Sequence, residues 1–87
     1  MNVWETAILK SINSLGGEAG LQQIYERLAA YIQLTEEDLT ETKWGGRPAY
    51  QHQVRSHVTN LRQAGALIRI SRGRYSLTEK GLRRIAA

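Results

Sequence analysis

The chain has 87 residues, 41% of them hydrophobic, with no cysteine and a formal net charge of +4. That length suits one small domain of modest stability, and without cysteine neither disulfides nor thiolate metal sites are available. No apolar run approaches the roughly 18 residues of a membrane span, and the opening MNVWETAILK lacks the basic start and long apolar stretch of a signal peptide, so a cytoplasmic protein without membrane, metal or cofactor is expected.

Trp4, Ala7, Ile8, Ile12 and Leu15 recur at helical spacing and predict a first helix from about Val3 to Leu15, with Asn2 as N-cap and Gly16-Gly17 as its stop. Glu18 to Gly20 has room only for a very short strand. Leu21, Ile24, Tyr25, Leu28, Ala29 and Ile32 predict a second amphipathic helix, with Tyr25 and Tyr31 as core and rim residues. Thr35 with Asp38 predicts a capped turn of helix over LTEEDL, whose acids suit a helix N-terminus.

The segment TETKWGGRPA, residues 40–49, reads as a loop, with Gly45-Gly46 giving backbone freedom and Pro48 leading into a helix. Lys43, Trp44 and Arg47 cluster in it. Trp44 either folds back over the core or projects toward a ligand.

The next stretch, YQHQVRSHVTNLRQAG, carries the functional signal. Helical spacing places Tyr50, Val54, His57, Val58 and Leu61 on one side, and Gly65 falls where a left-handed cap would end the helix. His52, Gln53, Ser56, Thr59, Asn60 and Gln63 form the opposite side, with Arg55 and Arg62 on its shoulder. A solvated helix usually carries Glu and Lys pairs. This one has no acid. Its amides, hydroxyls and guanidinium groups are the types that pair with base edges and phosphates in a major groove. His52, Gln53, Ser56 and Asn60 are therefore the expected base readers, and Arg55 and Arg62 backbone contacts.

Beyond Gly65 the period becomes alternating. Two short runs around Arg72-Gly73 predict a β-hairpin over residues 68–77. Ile68, Ile70, Tyr75 and Leu77 would point inward, and Arg69, Arg72 and Arg74 outward or at the tip. Three such arginines could serve as edge protection; after an acid-free helix they are better explained as phosphate contacts, joined by Lys43 and Arg47. Thr78 would cap a final helix with Lys80, Arg83 and Arg84 toward its C-terminal end.

The charge is divided along the chain. Residues 1–42 hold two bases against seven acids, a balance of −5, and residues 43–87 hold ten bases against Glu79 alone, a balance of +9. One face should repel polyanions and another attract them. The element order (helix, short strand, helix, helical turn, helix, hairpin, helix) predicts a mainly α, α+β winged helix-turn-helix: a three-helix core, a β-hairpin wing and a C-terminal helix, with the third helix in the major groove. Residues 1–87 are expected to form one such DNA-binding domain.

LGGEAGLQQIYERLA, then LTEEDL, then GRPAYQHQVRSHVTNLRQAGALIRISRGRYSLTEKG, resembles the N-terminal winged-helix domain of Mrr-type restriction endonucleases over about Leu9 to Leu82. The resemblance rests on the LGGEA start, the V-R-x-x-V-x-x-L-x-x-A-G helix and the G-x-Y-x-L-T-x-x-G ending. It implies the DNA-reading part of a restriction system, with a separate nuclease domain or protein making the cut and no catalysis by this chain. It also suggests sensing of a methylated base, for which Trp44 is the candidate contact.

An enzyme is not expected, because His52 and His57 are five residues apart on one helix and share no face. A transcription regulator of winged-helix type remains an alternative, as does a winged-helix protein-interaction module, which would show an exposed apolar patch.

Overall fold

Asn2 opens the first helix by accepting hydrogen bonds from the backbone N–H groups of Trp4 and Glu5 at 2.8 and 3.4 Å. The computed structural model describes residues 2–40 and 46–86. Its elements are α1 (Val3–Ser14), β1 (Glu18–Gly20), α2 (Leu21–Leu28), α3 (Glu36–Leu39), α4 (Ala49–Gln63), β2 (Leu67–Ser71), β3 (Arg74–Leu77) and α5 (Glu79–Ile85). This is a mainly α, α+β arrangement of winged-helix type, as the patterning predicts.

The apolar stripes meet in one core. Ala7, Ile8, Leu9 and Ile12 of α1 pack with Ile24, Tyr25 and Leu28 of α2, with Val54, Val58 and Leu61 of α4, and with Tyr75 of the hairpin. Leu61 is fully buried; removing such a side chain from water contributes about 1.5–3 kcal/mol. The termination signals also act as read. Gly65 has φ +80, and the Ala66 N–H reaches back to the Leu61 carbonyl at 2.9 Å, which closes α4 with a left-handed cap. Thr35 and Asp38 exchange side-chain to backbone hydrogen bonds of 2.8 and 3.2 Å around the short α3.

Two expectations need correcting. The second helix is a turn shorter than its apolar spacing suggests. After Leu28 the N–H groups of Ala30 and Tyr31 bond to the third carbonyl back, those of Arg27 and Leu28, so the chain tightens and leaves the α-helix. Ile32 still reaches the core, which is why its spacing mimics a longer helix.

The hairpin is shifted in register. A two-residue turn at Arg72-Gly73 with regular pairing would set Ile70 opposite Tyr75 and Ile68 opposite Leu77. Instead a bulge between Arg69 and Ser71 inserts one residue, so Arg69 opposes Tyr75 and Leu67 opposes Leu77. Because side chains alternate, a one-residue offset moves each to the other face. Leu67 is buried, while Ile68 and Ile70 are 54% and 45% exposed. Arg69 moves from the outer face to the face that carries Leu67 and Tyr75. The sheet has the order β1-β3-β2 and is antiparallel throughout, which leaves β2 as an edge strand.

Candidate nucleic-acid interface

Helix α4 presents the two faces expected of it. Val54, Val58 and Leu61 are buried, and His52, Gln53, Ser56, Thr59, Asn60 and Gln63 are exposed. Arg55 and Arg62, seven residues apart, lie on the same shoulder of the helix. That shoulder faces the wing.

Between them lies an open cleft of about 460 Å³ lined by Arg47, Arg55, Arg62, Arg69 and Arg72 together with Leu21, Gly73 and Tyr75. The arginines come from three places: the residue before Pro48, helix α4, and the wing. Among the described residues no acid lines this cleft. The bulge makes this grouping, because without it Arg69 would sit on the other side of the hairpin. A second cleft of about 460 Å³ continues along α4, lined by Thr59, Arg62, Gln63, Leu67, Ile68 and Arg69. Thr59 and Gln63 therefore lie beside the arginines.

The other expected site residues are placed differently. Gln53, Ser56, Asn60 and His52 are exposed on α4 but line neither cleft. Arg74 lies on the face opposite Tyr75, paired at 3.9 Å with Glu18 of β1. Lys43 and Trp44 fall outside the described residues.

On the α2 side of the arginine cleft is a pocket of about 300 Å³, lined by Leu21, Gln22, Tyr25, Arg47, Gln51 and Arg55. Tyr25 is 8% exposed, and its hydroxyl is buried without a hydrogen-bond partner among the described residues. Its ring meets Tyr50 edge to face, 6.0 Å between centroids. Burial raises the Tyr25 phenol above its ordinary pKa; Arg55 and Arg47 pull the other way without reversing the shift. The group therefore stays protonated and is a donor. Sequence reasoning assigned Tyr25 to the core, and only the tertiary approach of Arg55 and Arg47 gives its oxygen a second meaning.

The opposite shoulder of α4 is structural. Glu5 of α1 accepts from Arg84 Nη2 at 2.9 Å and contacts His57 Nδ1 at 3.1 Å, tying α1, α4 and α5 together. Burial alone would raise the Glu5 carboxyl, but the hydrogen bonds and charges of Arg84 and His57 outweigh it and hold the pKa below its ordinary 4.5. A depressed carboxylate stabilises the fold above its unfolded pKa and loses that contribution as pH falls through the folded one. Glu5→Gln is thus expected to cost about 1.5–3 kcal/mol at neutral pH. It should also flatten the acid limb of melting temperature against pH, below about pH 5. An acid limb identical to that of the unsubstituted protein would show that Glu5 is not linked to folding.

Among the described residues no three His, Cys, Asp or Glu side chains gather as a metal site requires, and no helix is long and apolar enough to cross a membrane. The family model described as the Mrr N-terminal domain matches residues 4–87. No curated protein and no solved structure shows a significant match.

Proposed function

Since the chain belongs to the Mrr N-terminal domain family, we propose that it binds double-stranded DNA as the reading module of a restriction-type system, with any cutting done by a nuclease domain or protein other than these 87 residues. The observation that carries this reading is the cleft, without an acid among the described residues, in which Arg47, Arg55, Arg62, Arg69 and Arg72 converge from the approach to Pro48, from α4 and from the wing. A guanidinium fork matches phosphate geometry, and five on one wall outline a single polyanion backbone. In this docking α4 enters the major groove and the wing follows the flanking phosphates. His52, Gln53, Ser56 and Asn60 meet base edges, and Thr59 and Gln63 extend that set toward the arginine side. Arg74, facing Glu18, stands apart from the contact surface. The chain acts by binding and performs no chemistry.

The test is selection from a random duplex library, run with unmodified and with methylated DNA. The expected result is enrichment of a short site. A preference for the methylated form that Trp44→Ala erases would assign the methyl contact, worth on the order of 1 kcal/mol for one buried methyl, to Trp44. Equal affinity for both forms of the best site would end the methyl-sensing part. Gln53→Ala and Gln63→Ala are each expected to relax preference at one base position by about 1–3 kcal/mol. The salt dependence should be unchanged. A uniform loss over all sequences would instead assign the residue to positioning.

One observation favours the protein-docking reading: Ile68 and Ile70 are exposed on the wing. Replacing Ile70, which lines neither cleft, with serine distinguishes the two, since duplex affinity should hold while any docking to protein is lost.

A further inference from the structure

A buried hydroxyl without a partner costs about 1–3 kcal/mol, and a group kept at that cost calls for an explanation. The Tyr25 hydroxyl is such a group. It lines a pocket whose other polar walls are Arg47, Arg55 and the amides of Gln22 and Gln51, with no carboxylate among the described residues. Two guanidinium groups and a phenol donor turned toward one pocket suit an acceptor-rich anion. The Tyr25 ring cannot easily turn away, because it is packed in the core and held edge to face by Tyr50. About 300 Å³ of open space is ample for a phosphate group. Leu21, Arg47 and Arg55 line this pocket and the arginine cleft alike, so a phosphate held here lies in line with a backbone in the cleft.

We propose that Tyr25, Arg47 and Arg55 form a preformed socket for one phosphate group, filled by a single phosphodiester of the strand that passes α2 when duplex DNA docks. The occupant rests on the duplex-binding reading; the socket does not. In the free protein the hydroxyl is held unpaired so that it is ready to donate to the phosphate.

The decisive variant is Tyr25→Phe, which removes one oxygen and keeps the ring. Its signature pairs two opposite effects. Without the unpaired hydroxyl the melting temperature should rise by about 4–8 °C. Affinity for every duplex should fall about tenfold, irrespective of sequence. In a parallel arm, inorganic phosphate is titrated into the whole chain while the side-chain N–H resonances of Arg47 and Arg55 are followed by NMR. They should shift saturably in the unsubstituted protein and respond at least tenfold more weakly in the variant. If phosphate is bound in a Tyr25-dependent way but no duplex binds, the socket stands and the DNA reading falls. If phosphate leaves both arginine signals unmoved, or if Tyr25→Phe binds phosphate and duplex like the unsubstituted protein, the socket is overturned. A lower melting temperature with unchanged affinities overturns it too, because the hydroxyl is then a structural donor.

Discussion

Gly81→Ala is expected to destabilise the protein by about 3 kcal/mol, through overpacking that has nowhere to go. In an 87-residue chain that corresponds to a fall in melting temperature of roughly 12–24 °C. Gly81 lies in the first turn of α5, where Thr78 caps it: the Thr78 hydroxyl accepts from the Gly81 N–H at 3.1 Å and donates to the Gly65 carbonyl at 2.6 Å. A methyl at Gly81 would run into the Ala66 carbonyl oxygen and come within 2.9 Å of Leu77 Cδ1. Leu77 could move aside. The Ala66 carbonyl cannot, because it is backbone held by the Thr78 N–H at 3.2 Å and sits on the turn that ends α4. The strain therefore passes to α5 as a whole, and with it to the Arg84–Glu5 contact. Thermal unfolding followed by circular dichroism measures this directly. An unchanged midpoint would mean that α5 does not approach Ala66 this closely.

The second large effect is electrostatic. Each neutralised phosphate contributes about −0.9 to the slope of log affinity against log salt. Five arginines on one cleft therefore set a slope near −4.5, a loss of about 500-fold in affinity between 50 and 200 mM salt. Arg72→Ala should flatten the slope by about one and weaken all duplexes alike. Arg74→Ala, on the opposite face beside Glu18, should leave the slope almost unchanged. A slope shallower than about −2 would contradict docking through the cleft, and an unaltered slope in Arg72→Ala would remove the wing tip from the interface.

Most of the architecture was legible because local signals agree with the tertiary solution. Asn2, Gly16-Gly17, the Thr35–Asp38 pair, Gly65 and Thr78 mark element ends in ways that depend only on neighbouring residues. The helical stripes of α1, α2 and α4 likewise point to one core. The failures lie where a non-local contact decides. Leu67, Ile68, Arg69 and Ile70 alternate equally well in either phase, and only the bulge against β3 chooses the phase that buries Leu67. That choice also places Arg69 in the cleft, so the site was partly hidden by the same ambiguity. Arg55 and Arg62 were visible as a shoulder of α4, since their spacing is helical. Their company with Arg47 and the wing was not, because it depends on how α4 rolls against α1. Tyr25 shows the limit most plainly: its periodicity locates its ring in the core but carries no information about what surrounds its oxygen.

The strand order has a consequence for how the protein is made. β3 is the middle strand, bonded on one side to β1 from residues 18–20 and on the other to β2. A growing chain releases α1 to α4 before this central strand, at roughly 5–20 residues per second. Until Arg74 to Leu77 emerge, Ala19 has no partner, Leu67 has no opposite residue, and the clasp between Glu5 and Arg84 cannot close. The early helices can condense as a loose cluster during synthesis. The arginine cleft, which needs the wing, is completed only once the hairpin has left the ribosome, so the helices that emerge first carry no finished polyanion-binding surface into surroundings made largely of RNA.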